Sequence, residues 1–200
     1  MKNILIFGHS RAGKTTLAKR LKDEFALNIV TQDSLIIAFG QALPQLEIHI
    51  YRNPDATTKN VTPFMAEYLC NLARRAKFST GCGFVADMTF FDFDIGIPIM
   101  REVLQDAGQD LLDEFAFIGL DNSKTAEELF ADIRTHDTAD DWTYHVSDQH
   151  LRQHCAENVG CKQPFGHVAD ALDFKRYDVA GGRKQVFDTI VGDLRSLFGK

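Results

Sequence analysis

Five short apolar runs alternate along the chain with longer segments in which apolar residues recur at helical spacing. Most of the runs are continuously apolar, as is typical of strands in a parallel sheet that is covered on both faces. The predicted strands are 3–7, 28–31, 83–87, 115–120 and 174–179. Because strands alternate with helices, the pattern predicts an α/β fold of three layers, with a doubly wound, five-stranded parallel sheet between helices.

The longer segments predict helices with one apolar face. Their ranges are 12–25, 62–78, 97–108, 123–136 and 181–199. In the second of these helices we expect Pro63 in the first turn, where its missing N–H group breaks no hydrogen bond. In the fourth, Thr125 and Glu128 have the spacing of a capping box. Right-handed crossovers bring ligands to the carboxyl ends of the strands, so residues that follow the strands are the functional candidates.

The sequence GHSRAGKT, at 8–15, lies between the first predicted strand and the first predicted helix. It matches G-x-x-x-x-G-K-[ST] in the strand, loop and helix context that this phosphate-binding motif requires. Gly8 and Gly13 lack a Cβ, so the chain can turn sharply and direct its amide groups toward an anion. Lys14 can reach the β- and γ-phosphates, and the Thr15 hydroxyl can ligate Mg²⁺. The motif therefore predicts a nucleoside triphosphate site.

The residues expected to hold the phosphates belong to this loop and to the first turn of the helix that follows it. They are Gly8, His9, Ser10, Arg11, Ala12, Gly13, Lys14, Thr15 and Thr16. A helix N-terminus adds partial positive charge and unpaired N–H donors, which favours a phosphate ligand at this position.

Acidic residues follow several of the predicted strands. Asp87 ends the apolar strand FVAD, which is the form of a Walker B carboxylate that supports Mg²⁺ through water. Asp33 follows the second strand, where a functional carboxylate and an ordinary turn residue are both open interpretations. We interpret Asp121, after the fourth strand, as a turn residue. The predicted metal site comprises Thr15 and Asp87.

Composition limits the classes of partner. A length of 200 residues predicts one domain, spanning 1–200. The net charge of −6 argues against a nucleic-acid or membrane-surface partner, because such partners select basic patches. No apolar run is long enough to span a bilayer and no signal peptide is recognised, so we expect a cytoplasmic protein.

The cysteines leave one question open. Cys70, Cys82, Cys155 and Cys161 form no C-x-x-C pair, which favours reduced thiols. His150 and His154 stand one helical turn apart beside Cys155, and His167 follows, so either a zinc site or ordinary helix residues would fit. Since the spacing fits no common zinc signature, ordinary helix residues are the favoured interpretation.

Four stretches together resemble the P-loop small-molecule kinases, the adenylate kinase-like group of the P-loop NTPases. They are GHSRAGKTT, VTQDS, FVADMTF and ADIRTHDTADDW. The resemblance covers the chain from end to end in layout, and it is specific at residue level in the phosphate loop. It implies ATP and Mg²⁺ as cofactors and a small molecule as the phosphoryl acceptor.

The resemblance also implies roles for individual residues. An Asp after the second strand of such kinases contacts the acceptor and can serve as general base, and Asp33 matches that position. An arginine-bearing mobile lid follows the fourth strand, and 123–165, with Arg134 and Arg152, fills that place. The predicted catalytic residues are therefore Lys14, Asp33 and Arg134, with Arg134 stabilising the transition state.

The predicted function is phosphoryl transfer from ATP-Mg to a hydroxyl of a small-molecule acceptor. The D-G-[FY]-P-R fingerprint of nucleoside monophosphate kinases is absent after the third strand, where DMTFFD stands. A nucleoside or nucleotide monophosphate kinase remains an alternative, because basic residues that could grip an acceptor phosphate lie between the second and third strands. They are Arg52, Lys59, Arg74 and Arg75. A further alternative is a regulatory protein that binds ATP as a switch.

Overall fold

The computed structural model describes residues 3–8, 11–46, 48, 54–78, 83–88, 93–139, 142–160 and 174–199. Several residues of the sequence predictions lie outside these ranges. They are the phosphate contacts His9 and Ser10, the basic residue Arg52, the possible metal ligands Cys82, Cys161 and His167, and positions 140, 141 and 161–165 of the predicted lid.

Five parallel strands form one sheet. They are β1 (Asn3–Gly8), β2 (Asn28–Thr31), β3 (Phe84–Met88), β4 (Phe115–Asp121) and β5 (Lys175–Asp178). The order across the sheet is β2-β3-β1-β4-β5. The first strand is therefore central, with β3 and β2 on one side of it and β4 and β5 on the other. The predicted five-stranded, doubly wound parallel sheet is confirmed, and each predicted strand overlaps an observed one.

The register of the sheet aligns the carboxyl ends of its central strands. Ile6 of β1 pairs with Asp87 of β3, and Asp87 pairs in turn with Thr31 of β2. The phosphate loop after β1 and the chain that follows Thr31 therefore leave the sheet at the same edge, with the end of β3 between them. Functional groups that are 72 residues apart in sequence, such as Thr15 and Asp87, meet at this edge.

Helices connect the strands. They are α1 (Lys14–Phe25), α2 (Gln32–Ala42), α3 (Pro54–Phe78), α4 (Phe93–Asp106), α5 (Gln109–Leu112), α6 (Ala126–His136), α7 (Asp148–Gly160) and α8 (Arg183–Phe198). Single turns of 3₁₀ helix cover Pro44–Leu46 and Trp142–His145. The five predicted helices correspond to α1, α3, α4, α6 and α8, and α7 carries His150 and His154, which were expected on a helix. The helices α2 and α5 were not predicted.

The predicted position of Pro63 is wrong. The helix begins at Pro54, and Pro63 lies in its interior. Pro54 occupies the first helical position, which suits a residue that has no N–H group. The segment before Pro63 stays helical because Val61 and Met65 continue the buried face of the helix, and this burial outweighs one lost hydrogen bond. Met65 belongs to the apolar cluster that covers the sheet. The helix predicted to begin at Ile97 likewise begins earlier, at Phe93.

The capping box at the start of α6 is confirmed. The Thr125 hydroxyl accepts a hydrogen bond from the Glu128 backbone N–H, at 3.3 Å. The Glu128 carboxylate accepts one from the Thr125 backbone N–H, at 2.7 Å. Two N–H groups at the helix end are thereby satisfied, which fixes where α6 begins beyond β4.

Apolar residues cover both faces of the sheet. Leu5 and Phe7 of β1 pack with α3 and α4 on one face, and Ile4 and Ile6 pack with α1 and α8 on the other. This double burial explains why the central strands are continuously apolar in sequence. A separate apolar cluster, Leu129, Ile133, Leu151 and Cys155, holds α6 against α7. We call α6, α7 and the segment between them the α6–α7 hairpin (126–160).

Candidate active site

The two motif glycines are required by close packing of the phosphate loop. A Cβ on Gly8 would lie 2.9 Å from the backbone oxygen of Leu120 on β4. Gly13 has φ of 88°, and a Cβ there would lie 3.2 Å from the ring of Phe187 on α8. The left-handed conformation at Gly13 ends the loop and begins α1, so that the helix N-terminus faces the space above the loop.

Lys14 is the buried cation of the site. Its side chain is 8% exposed, and burial lowers its pKa to about 8, while the charges of Asp87 and Asp33 act in the opposite direction. Both carboxylates therefore lie close enough to interact electrostatically with the ammonium group. The structure thus brings together three residues that the sequence analysis selected independently, from the first three strand ends.

Thr15 and Asp87 are in direct contact at the carboxyl edge of the sheet. The Thr15 hydroxyl donates a hydrogen bond to Oδ2 of Asp87, at 2.7 Å. A hydroxyl and a carboxylate oxygen are ligands that suit Mg²⁺, a hard cation that binds oxygen. The donor set at this position therefore fits the predicted magnesium site.

Asp33 lies in the first turn of α2, directly beyond β2. Its backbone is two residues past Thr31, which is level with Asp87 in the sheet register. Asp33 is exposed at the carboxyl edge, whereas Asp87 is buried against the loop. The two carboxylates therefore lie in different environments. Asp33 is open to a second ligand, and Asp87 is enclosed beside Thr15.

A cavity of about 470 Å³ lies above the phosphate loop. One wall consists of Arg11 and the segment 13–16 with Lys19. The opposite wall comes from Asp132 and His136 of α6 and from Asp137 directly after it, and Arg183, at the start of α8, closes a third side. The cavity is lined by several cationic side chains beside a helix N-terminus, an arrangement that suits a phosphate-bearing ligand.

Arg134 does not line this cavity. Its guanidinium donates to the backbone oxygens of Thr143 and Val146, each at 2.8 Å, and to the carboxylate of Asp148 at 2.7 Å. It also donates to Asp137, at 3.3 Å. Through these contacts Arg134 holds the α6–α7 hairpin together. Its predicted catalytic role stays a prediction.

Arg152 also contacts residues within the hairpin. Its guanidinium forms an ion pair with Glu127 and lies 3.8 Å from the ring centroid of Phe130. Both arginines that the sequence analysis placed in the lid therefore bridge α6 to the chain beyond it. The arginines that line the cavity above the phosphate loop are instead Arg11 and Arg183.

Arg183 is a site residue that the sequence analysis missed. Its Nη2 donates to the backbone oxygen of Arg11 at 3.0 Å and to the carboxylate of Asp132 at 3.2 Å. Arg183 begins α8 directly after Gly181 and Gly182, at the carboxyl edge beyond β5. Its place after a strand end is the signal that could have identified it.

The possible metal ligands of α7 are dispersed. Cys155 is buried in the apolar cluster of the hairpin, whereas His150 is exposed. Among the described residues, no group of three His, Cys, Asp or Glu side chains is arranged to hold a metal ion. Cys161 and His167, the remaining residues of that interpretation, lie outside the described residues.

No protein-family model matches the chain, and no curated protein matches its sequence. Solved structures do match over nearly the whole chain. A gluconokinase from Sinorhizobium meliloti 1021 is 15% identical, with a TM-score of 0.58, and the match covers 98% of this chain and 93% of that one.

Two further matches have the same extent. A shikimate kinase from Acinetobacter baumannii, in complex with shikimate, is 14% identical with a TM-score of 0.57, covering 99% of this chain and 93% of that one. A sugar kinase from Janibacter sp. HTCC2649 is 17% identical with a TM-score of 0.55, covering 96% and 93%. The chain therefore has the P-loop kinase fold, as the sequence resemblance implied.

In the ranges that the structure describes, none of the helices combines the length and the apolar character needed to cross a membrane bilayer.

Proposed function

We propose that this protein transfers a phosphoryl group from ATP-Mg to a hydroxyl group of a small molecule. The observation that carries the proposal is the position of Lys14, which is buried at the start of α1 within the electrostatic reach of both Asp33 and Asp87. Phosphoryl transfer needs a phosphate cradle, charge neutralisation and an acceptor for the hydroxyl proton more than it needs covalent chemistry. The residues at this edge supply each of these.

The phosphate loop binds the triphosphate. Gly8 and Gly13 allow the close approach of the backbone, and the N–H groups at the start of α1 donate to phosphate oxygens. Lys14 supplies positive charge beside them, at a position where burial strengthens its interaction with an anion. The roles of His9 and Ser10 as further loop donors are part of this proposal, on the strength of the motif.

Thr15 and Asp87 are the residues that would hold Mg²⁺. Their oxygens lie 2.7 Å apart beside the loop. Bound there, Mg²⁺ would neutralise charge on the phosphates and orient them. The Asp87 carboxylate is held in place for this function, because it is buried and accepts a hydrogen bond from the Thr15 hydroxyl.

Asp33 is the proposed general base. It is an exposed carboxylate in the first turn of α2, beyond β2, and β2 is the edge strand at the side of the sheet opposite β5. A hydroxyl acceptor bound beside Asp33 would present its oxygen toward the phosphates and its proton to the carboxylate. Asp87 is the competing candidate, but its place beside Thr15 favours the metal role.

A hydroxyl acceptor is favoured over a phosphate acceptor by the position of two arginines. Arg74 and Arg75 lie in the last turns of α3, and the chain enters β3 at Phe84 shortly afterwards. They therefore stand near the amino ends of the strands, at the side of the sheet opposite the phosphate loop. From there they cannot grip an acceptor phosphate, which removes two of the four basic residues on which the nucleotide kinase alternative rests. Lys59, exposed near the start of α3, stays a candidate for that contact.

The predicted lid and domain limits complete the proposal. We propose a single domain over 1–200, with the α6–α7 hairpin as the described part of a lid at 123–165. The hairpin has its own apolar cluster, and its α6 lines the cavity above the phosphate loop. A lid in this position would exclude water during transfer and so limit hydrolysis of ATP.

The names of the similar structures agree with this class of reaction. They include a gluconokinase, a sugar kinase and a shikimate kinase in complex with shikimate. At 14–17% identity these names support a small hydroxylated acceptor as the first class to test, and they do not identify it.

The test is acceptor-dependent production of ADP. The full-length protein is incubated with ATP, with and without Mg²⁺, and with a panel of sugars, sugar acids, cyclic hydroxy acids, nucleosides, nucleotides and amino alcohols. We expect ADP formation that requires Mg²⁺ and one class of hydroxyl compound. Slow hydrolysis that no acceptor stimulates would instead support a regulatory ATP-binding protein, and stimulation by nucleotides alone would support a nucleotide kinase.

A further inference from the structure

Arg11 connects the phosphate loop to the α6–α7 hairpin. Its backbone has φ of 66°, in the left-handed region that non-glycine residues adopt infrequently. The guanidinium lines the cavity above the loop and donates from Nη2 to the hydroxyl of Thr143, which lies 132 residues away in the sequence. The Arg11 side chain thus contacts the segment between α6 and α7.

The hydrogen-bond directions at Thr143 are fixed by chemistry. A guanidinium can only donate, and an ionised carboxylate can only accept. The Thr143 hydroxyl therefore accepts from Arg11 and donates its single proton to Oδ1 of Asp137. Thr143 is fully buried and the Asp137 side chain is 4% exposed, so water does not compete for these bonds. The hydroxyl orients the Arg11 guanidinium.

Arg134 supports this arrangement without reaching the cavity. It donates to the second oxygen of Asp137 and to the backbone oxygen of Thr143. Arg183 secures the other end, because it bridges the backbone oxygen of Arg11 and the carboxylate of Asp132 on α6. Both the backbone and the side chain of Arg11 are thus held against the hairpin.

We propose that Thr143 and Asp137 are positioning residues that hold the Arg11 guanidinium beside the phosphates of bound ATP. The inference rests on the proposed function, since it requires a triphosphate on the loop. It assigns to Arg11 the position of the arginine beside the phosphates, which the sequence resemblance assigned to Arg134. Arg134 then acts through Asp137 and Thr143.

A double-mutant cycle on ATP affinity tests the proposal. Dissociation constants for ATP-Mg are measured by titration calorimetry on the wild type, Arg11→Met, Thr143→Val and the double variant. We expect Arg11→Met to weaken binding about tenfold, since a charge-assisted contact to phosphate is lost. Thr143→Val should weaken it about fivefold, and the double variant should match Arg11→Met alone, because Thr143 acts only through Arg11.

Two further variants separate positioning from general loosening of the hairpin. Thr143→Ser keeps the hydroxyl and should restore most of the affinity that Thr143→Val loses. Thr135→Val makes the same change at an exposed position near the end of α6 and controls for altered helix stability. Thermal unfolding of each variant shows that it is folded.

The outcomes separate this inference from the proposed function. Wild-type protein that binds no ATP-Mg would overturn both. If it binds ATP-Mg, but the losses from Arg11→Met and Thr143→Val multiply in the double variant, Thr143 acts independently of Arg11 and this inference alone is overturned. Failure of Thr143→Ser to restore affinity in a folded protein would have the same meaning.

Discussion

The phosphate loop and the α6–α7 hairpin are both rich in charged side chains, but they use them differently. At the loop, Lys14 is buried beside two carboxylates from other strand ends, and Thr15 contacts Asp87. In the hairpin, Arg134 donates to four neighbouring groups of its own segment, and Arg152 pairs with Glu127. The charged side chains of the loop surround a cavity, whereas the arginines of the hairpin form hydrogen bonds and ion pairs within the hairpin.

The difference teaches how to choose among candidate arginines. A guanidinium whose donors are taken by backbone oxygens of the same hairpin stabilises that hairpin, because removing it leaves buried acceptors unsatisfied. A cation that lines a cavity beside a helix N-terminus is better placed for a ligand. By this criterion, Arg11 and Arg183 belong to the site and Arg134 belongs to its support.

The largest expected effect is at Asp33. Asp33→Asn preserves shape but removes the base, so kcat with the identified hydroxyl acceptor should fall about a thousandfold, within the range of general-base catalysis. ATP affinity should change less than about twofold, since Asp33 does not bind the phosphates. Steady-state kinetics and titration calorimetry provide the two measurements.

The matched control for this prediction is Asp23→Asn, which neutralises an exposed carboxylate of α1. It should leave both constants near the wild-type values. Near-normal turnover in Asp33→Asn would make Asp33 an ordinary turn residue and move the base to Asp87. An effect confined to the acceptor KM would indicate that the acceptor is a phosphate, which needs no base.

The next effect is at Lys14. Lys14→Ala should weaken ATP-Mg binding about a hundredfold, because a charge-assisted contact in a desolvated site is lost. The fold should persist, since the substitution removes a buried charge rather than a packing group. Calorimetric titration measures the first quantity and thermal unfolding the second.

Lys22→Ala provides the comparison for Lys14→Ala, because Lys22 is an exposed lysine at the far end of the same helix. Its ATP affinity should equal that of the wild type. Equal affinity in both variants would remove Lys14 from the site and leave the phosphate loop without its assigned cation.

A smaller effect is expected from pH. Burial lowers the pKa of Lys14 to about 8, so the free protein loses this charge as pH rises through that value. Between pH 7 and pH 9, the ATP affinity should fall about tenfold, because binding at pH 9 must first return a proton to Lys14. Calorimetry in buffers of different ionisation enthalpy should detect that proton uptake.

The Lys14→Ala variant is the control for the pH profile and should show no such fall. A wild-type affinity that stays constant over this interval would indicate that Lys14 keeps its charge to higher pH. The electrostatic contrast between the loop and the hairpin would then be weaker than the structure implies.

The smallest expected effect concerns Arg134 and is on stability. Arg134→Ala should lower the free energy of unfolding by about 2 kcal/mol, because the oxygens of Thr143 and Val146 and the Asp137 carboxylate lose a donor. Urea denaturation measures this loss. Arg195→Ala, which breaks an exposed ion pair with Glu24, should cost less than about 1 kcal/mol.

Kinetics distinguishes the two interpretations of Arg134. The resemblance predicts that Arg134→Ala lowers kcat more than it raises KM, as for a contact made in the transition state. Unchanged stability together with a large loss of kcat would support that catalytic role and would break the distinction between supporting and ligand-facing arginines.

The sequence by itself determined the layout of the molecule and the chemistry of the phosphate loop. Strand and helix periods, the capping box of Thr125 and Glu128 and the loop motif are local patterns, so a single stretch of chain is enough to specify each. The meeting of Thr15 with Asp87 also followed from the sequence, because parallel strands end at a common edge.

Only the tertiary structure decided where the long cationic side chains go and how far the helices extend. Arg11 reaches Thr143 across 132 residues, and Arg183 reaches Asp132 across 51. An arginine has many rotamers of similar energy, so its direction is set by acceptors that folding brings near and not by its neighbours in sequence. The extent of α3 before Pro63 also depended on folding, because it follows from the burial of Val61 and Met65 by neighbours that the fold brings near.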